Sequence, residues 1–177
     1  MFEAEIKYLA DGPVTLPGRL LPDAVYHDRY YDAPDACLAG SGQELRLRET
    51  GGRTVLTYKR PPFDPATASK EELETAVADG PAMGRILEVL GFAPRLAFTK
   101  HCRHGRDRFQ GLSLDITVVT VDFSPHVFVE VEHLAPTRAA ALAALPVIRA
   151  YADGLGLTRE WAQAYTDMFL AARGKGA

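Results

Sequence analysis

The chain has 177 residues, 47% of them hydrophobic, with a formal net charge of −3; that length suits one domain with an ample core, and the slight negative balance gives no support for a nucleic-acid partner held by general basic character. Cys37 and Cys102 stand far apart with no paired-cysteine spacing, which argues against a disulfide scaffold or a structural zinc site. No apolar stretch is long enough to cross a bilayer as a helix and no charged leader precedes the first strand, so a soluble, unprocessed protein of the reducing cytoplasm with no membrane partner is expected.

The segment Glu3-Ala4-Glu5-Ile6-Lys7, flanked by Phe2 and Tyr8, alternates charged and apolar side chains. As a strand it places Glu3, Glu5 and Lys7 on one face. Read alone, it is a half-buried strand with a wet face. Asp11-Gly12-Pro13 and Pro17-Gly18 then punctuate a short helix or loop, and Val25 to Asp32 is an aromatic-rich second strand with Tyr30 and Asp32 on one face. Glu44 to Glu49 and Arg53 to Arg60 flank Gly51-Gly52 as a hairpin, Arg46 and Arg48 projecting together. Pro61-Pro62 stops it, and a loop leads to Lys70 to Thr75, a strand in which Glu72 and Glu74 share a face.

Met83 to Leu90 has helical spacing and suits a crossover helix stopped by Gly91. Leu96 to Arg103 reads as a strand carrying Lys100 and Arg103, which can face one side only across a bulge. Leu112 to Val119 carries Asp115 on its polar face, and Val127 to Glu132 carries Glu130 and Glu132. The tail is helical: Thr137 can cap an alanine-rich run, Pro146 either starts a new helix or kinks the old one, and Thr158 can cap a last helix whose Trp161, Tyr165, Met168 and Phe169 read as packing residues.

Like charges two apart on one strand repel unless something compensates them, yet Glu3 with Glu5, Glu72 with Glu74, Glu130 with Glu132 and Arg46 with Arg48 recur. An open sheet with wet charged faces explains each strand separately. A closed barrel with a polar lumen explains the pairs, since carboxylates bind divalent cations and arginine or lysine binds phosphate oxygens.

The charged segments also resemble a known family. Glu3-x-Glu5-x-Lys7 is similar to the ExExK motif of the CYTH domain, or triphosphate tunnel metalloenzymes, which includes class IV adenylate cyclases and thiamine triphosphatases. Tyr30-Tyr31-Asp32-Ala33-Pro34-Asp35, Leu45-Arg46-Leu47-Arg48, Leu56-Thr57-Tyr58-Lys59-Arg60-Pro61 and Phe128-Val129-Glu130-Val131-Glu132 resemble further family segments, in the family's order. The resemblance implies an α+β fold: a closed antiparallel barrel of about eight strands enclosing a polar tunnel, helices outside. Residues 1–177 form one such domain, with the helical segment 137–173 packing on the barrel.

The resemblance further implies that Glu3, Glu5, Asp115, Glu130 and Glu132 hold Mg2+ or Mn2+, with Glu72 and Glu74 as weaker candidates. Lys7, Arg46, Arg48, Lys59 and Lys100 would grip a triphosphate. The family more often places its next basic residue two after the lysine, so the reading Lys100-His101-Cys102-Arg103 leaves Arg103, Arg106 and Arg108 competing, with Arg103 taken as the candidate. A Tyr and Lys dyad used catalytically by some members corresponds to Tyr30 and Lys59 and implies an alkaline optimum. The expected activity is metal-dependent triphosphate hydrolysis by water held on a metal, on inorganic tripolyphosphate first. Thiamine triphosphatase, class IV adenylate cyclase and a non-catalytic polyphosphate-binding module are the alternatives, and homodimers are common among relatives. His101, Cys102 and His104 match no common zinc spacing.

Overall fold

The computed structural model of the chain describes residues 1–67 and 69–174; Ala68 and the last three residues of the predicted domain lie outside the described residues. The alternating charged segment forms β1 (Phe2–Leu9), and the aromatic run lies within a longer β2 (Arg19–Asp32). A short α1 (Cys37–Gly40) precedes the hairpin of β3 (Glu44–Thr50) and β4 (Arg53–Lys59). Then come β5 (Lys70–Val77), α2 (Gly80–Val89), β6 (Ala93–Phe109), β7 (Leu112–Val121), β8 (Ser124–Ala135), α3 (Arg138–Gly154) and α4 (Tyr165–Gly174).

Among the described residues the eight strands close into an antiparallel barrel in the order β1-β5-β4-β3-β2-β6-β7-β8. Closure turns one face of every strand into the wall of an interior, so the period-2 alternation of charge becomes a charged lumen. Gly51 and Gly52, at φ 52° and 75°, supply the left-handed turn that joins β3 to β4. Gly18 has φ +68°, and a Cβ there would lie 2.4 Å from the Arg106 carbonyl oxygen. The bare backbone lets β2 start pairing at Arg19 opposite Arg106, well ahead of the aromatic run that marks it in the sequence.

The outward apolar residues of β1, β7 and β8, including Ala4, Ile6, Ile116 and Val131, pack against Ala144, Leu145, Ile148 and Tyr151 of α3. Thr137 caps α3 by accepting from Ala140 N at 3.2 Å, and Pro146 lies inside this single helix. Helix α2 begins at Gly80, earlier than its apolar spacing suggests, because Asp79 accepts from Ala82 N at 2.9 Å and Pro81 fits the first turn.

The last helix differs from its expected start. Strand β1 pairs with β5 only at Phe2 and Glu3, so the same edge of β1 lacks a strand partner further on. Ser69 Oγ takes the Glu5 N–H and carbonyl, while Leu9 N donates to Arg159 O at 2.9 Å and Trp161 N to Lys7 O at 2.7 Å. Residues 159–161 are therefore extended, as the need to satisfy buried backbone groups requires, and the helix starts at Tyr165 rather than after Thr158.

Candidate active site

The inward faces of all eight strands line a cavity of about 1410 Å³. Its inner end is closed by apolar inward residues, Leu9, Phe98, Val121 and Phe128, packed against Tyr165, Met168 and Phe169 of α4. Strand β1 places Glu3 nearest the open end, Glu5 next and Lys7 deepest; β8 faces it with Glu132 opposite Glu5 and Glu130 opposite Lys7.

Glu3, Glu5 and Glu132 converge, each offering a carboxylate oxygen within 4.8 Å of the others. Burial, and then the Glu130 charge, pushes the Glu5 carboxyl up to about 7; burial and Glu5 do the same to Glu132. Glu3 is raised chiefly by burial. Among the described residues its buried Oε2 has no hydrogen-bond partner, and it lies 3.7 Å from Lys59 Nζ. Three crowded carboxylates short of positive charge and of donors suit a divalent cation with oxygen ligands. Glu130 sits one step deeper, 3.6 Å from Lys100; burial opposes its charge, but Lys100 and Lys7 outweigh burial and hold the carboxyl below its ordinary value. Asp115 lies opposite Glu132 across β7 and β8 but is clasped by Arg106 through contacts of 2.5 and 2.9 Å. Glu72 pairs with Lys59, and the exposed Glu74 accepts from Thr57 Oγ1 at 3.1 Å.

The deep wall is basic. Lys7 Nζ donates to Gln163 O at 2.5 Å and lies 4.1 Å from the centre of the Tyr165 ring; Lys100 Nζ lies 3.8 Å from the same ring. Burial lowers Lys7 to about 8. Arg46 is buried, donates from Nη2 to Thr57 Oγ1 at 3.2 Å and leaves its buried Nε without a partner. Arg48 is clamped by Asp28. Two groups of opposite sign, each with an unsatisfied buried atom, thus share one cavity: Glu3 oxygen and Arg46 nitrogen. A phosphate chain carrying a divalent cation supplies both complements.

Several sequence expectations are placed elsewhere. The pairing of β6 with β7 runs without a break from Lys100 to Phe109, so no bulge rotates Arg103 inward. Arg103 lies outside the barrel, donating to Val14 O at 3.1 Å, whereas Arg106 lines the cavity near its mouth. Arg108 shares the inward parity but is not among the cavity-lining residues. Tyr30 lines the cavity with its ring stacked on Phe98 at 5.4 Å, and among the described residues no hydrogen bond joins it to Lys59. Asp32 turns away to cap α1, accepting from Leu38 N and Ala39 N at 3.0 and 2.9 Å. Trp161 packs at the closed end, donating to Met168 Sδ at 3.2 Å.

Other cavity residues carry weaker sequence signals. Tyr26 and Asp28 alternate with Tyr30 on β2, a parity that marks them as inward once Tyr30 is so placed; Tyr26 lines the cavity, and Asp28 is buried against Arg46 and Arg48. Tyr165 reads as packing from helical spacing, yet it floors the cavity between two lysines. Glu44 binds Lys70 at 2.6 Å across the intervening strand β4, a contact between residues 26 apart that no local pattern marks.

Residues 1–159 match the CYTH domain, and the chain belongs to the CYTH family. A relative from Methanocaldococcus jannaschii, named a putative adenylate cyclase, is 28% identical over 99 residues, which cover 52% of this chain and 57% of that protein, so the match spans little more than half of the relative's length. A solved Pyrococcus horikoshii protein superposes with a TM-score of 0.81 at 22% identity, covering 96% of this chain and 98% of the other. A putative adenylyl cyclase from Hippeastrum, described as having a dominant triphosphatase activity, superposes with a TM-score of 0.63 at 20% identity over 97% and 96% of the two chains. Identities this low carry the fold alone.

Proposed function

We propose that the protein is a divalent-metal-dependent triphosphatase that cleaves inorganic tripolyphosphate to diphosphate and phosphate. The observation that carries the reading is the juxtaposition, in one blind cavity, of the Glu3, Glu5 and Glu132 cluster with a buried basic wall of Lys7, Arg46 and Lys100. Glu3, Glu5 and Glu132 would hold Mg2+ or Mn2+, and Glu130 and Asp115 are further carboxylates lining the same cavity. A bound divalent cation supplies charge withdrawal from the phosphate oxygens and acidification of water.

The chain's own residues do the rest. Lys7 and Lys100 neutralise the phosphate that enters furthest, and Tyr165 holds both ammonium groups toward the cavity through its ring face. Arg46 donates its spare Nε–H to a phosphate oxygen, and Lys59 places a positive charge between the Glu3 and Glu72 carboxylates. Positioning and charge neutralisation account for most of phosphoryl-transfer catalysis, and a preformed set of fixed charges serves both. Charged residues are the largest group lining the cavity, and Trp161 packs, partly buried, behind its floor and outside the lining, which favours tripolyphosphate over an ester whose rings need a platform.

The test is a panel of tripolyphosphate, thiamine triphosphate and ATP with Mg2+ or Mn2+, read for phosphate, diphosphate and cyclic AMP. Phosphate release from tripolyphosphate is expected, abolished by a chelator and reduced more than about tenfold by Glu5→Gln. Cyclic AMP from ATP would make the protein a cyclase, and tight tripolyphosphate binding without phosphate release would make it a binding module.

A further inference from the structure

Arg46 and Arg48 present like charges on one face of β3, and the compensating group is Asp28 of β2, directly opposite Arg48 in the strand register. The Asp28 side chain is wholly buried. Its Oδ1 and Oδ2 accept from Arg48 Nε and Nη2 at 2.6 and 2.7 Å, and Oδ2 lies 3.9 Å from Arg46 Nη1. The Arg48 guanidinium carbon lies over the face of the Tyr26 ring, 4.1 Å from its centre. The Tyr26 hydroxyl is in turn 3.1 Å from His104 Nε2, and His104 Nδ1 is 3.1 Å from Thr117 Oγ1. An edge contact and a face contact therefore fix one guanidinium. Only one Nε–H and one Nη2–H are spent on Asp28, and among the described residues the remaining donors of Arg48, which lines the cavity, have no hydrogen-bond partner.

From this arrangement we infer that Asp28 is a positioning residue for the phosphate chain: it orients the Arg48 guanidinium and offsets its repulsion with Arg46 before any anion arrives. The inference rests on the triphosphate reading of the cavity. One carboxylate against two guanidinium groups leaves a positive surplus, so the pair is ordered without being cancelled. An aspartate that only masked positive charge makes the opposite prediction, since its removal would tighten anion binding.

The experiment compares wild type with Asp28→Asn in the full chain. With tripolyphosphate and Mg2+, kcat is expected to fall about tenfold or more while KM does not decrease. In an Arg48→Ala background the same change is expected to cost less than about threefold more, because Asp28 acts through that arginine. In 15N-detected spectra the Arg48 Nε–H resonance is expected to be protected in wild type and lost in Asp28→Asn, and this readout needs no turnover. Should Asp28→Asn not fold, Tyr26→Leu, which removes the ring face and the hydroxyl contact with His104 but leaves both Asp28 bonds, is expected to weaken the same resonance without abolishing it, and its abolition there would place the hold on Tyr26 and overturn the proposal. Retained kcat, tighter tripolyphosphate binding or an unchanged Arg48 resonance in Asp28→Asn would overturn the proposal. A wild-type protein that neither binds nor hydrolyses tripolyphosphate refutes the triphosphate reading instead, and the resonance still decides whether Asp28 holds the guanidinium.

Discussion

Lys59 shows how a residue's neighbours define its chemistry. Its ammonium lies against Glu72 and 3.7 Å from Glu3, and although burial opposes its charge, those carboxylates outweigh burial and hold it protonated. Burial also raises the Tyr30 phenol, with the Asp28 charge adding to it, so neither group is prepared to accept a proton. The geometry favours a charge-bridging Lys59 over a proton-accepting dyad with Tyr30. Lys59→Arg, which keeps the charge and cannot deprotonate, is expected to retain measurable tripolyphosphate turnover, whereas Lys59→Met is expected to lose at least about tenfold. Tyr30→Phe is expected to change kcat by less than about threefold, because its contact is the ring stacked on Phe98. A loss in Lys59→Arg as deep as in Lys59→Met, together with a large loss in Tyr30→Phe, would restore the dyad.

The elements divide into a rigid outer layer and a floor. On the outer layer Ile148 is fully buried between α3 and the β1 and β8 wall, so Ile148→Ala is expected to lower stability by about 2–5 kcal/mol while leaving KM for tripolyphosphate within about twofold, as denaturant melts and steady-state rates would show. Tyr165→Leu on the floor is expected to do the reverse, raising KM through Lys7 and Lys100 with a smaller cost in stability. The same division separates what the sequence shows from what it hides. The barrel strands and the Glu3, Glu5 and Glu132 cluster are legible because period-2 alternation is local and because the segments come in the order of a known family. The inner ends are not. Where α4 starts depends on an unpaired edge of β1 that exists only once β5 has peeled away after Glu3, and which way Arg103 faces depends on the regular pairing of β6 between Lys100 and Arg103. Asp28 is hidden for a related reason: its partner Arg48 is a neighbour only across two strands, and on β2 it stands among aromatic residues that draw attention to packing.

At the scale of the whole molecule, the cavity makes folding stability depend on protons and metal together. Glu5 and Glu132 move from an ordinary value of 4.5 to about 7, and Glu3 moves the same way, through burial and mutual repulsion. Between those values the native, metal-free protein binds more protons than the unfolded chain, so this cluster's contribution to stability falls as pH rises from about 4.5 to about 7. Asp28 titrates below that window, held at about 2 because its bonds to Arg48 and the charge of Arg46 outweigh burial, and Lys7 above it, lowered by burial to about 8; His104, lowered from 6.5 by burial, adds a slope of opposite sign inside the window, so the cluster's share is read from the difference between wild type and Glu132→Gln. A divalent cation binds the deprotonated cluster, so its affinity rises over the same interval and it stabilises the native state by about 2.7 kcal/mol at a hundredfold excess over Kd. Melting temperatures measured with chelator and with Mg2+ or Mn2+ are therefore expected to diverge as pH rises, with a metal-induced increment that is small at pH 5, grows to about pH 7 and then levels off. Glu132→Gln removes one carboxylate of the repelling set and is expected to flatten the pH dependence of the chelated protein while shrinking the metal increment. An increment that is largest at pH 5, or one that Glu132→Gln leaves intact, would mean that the cation is held somewhere other than on Glu3, Glu5 and Glu132.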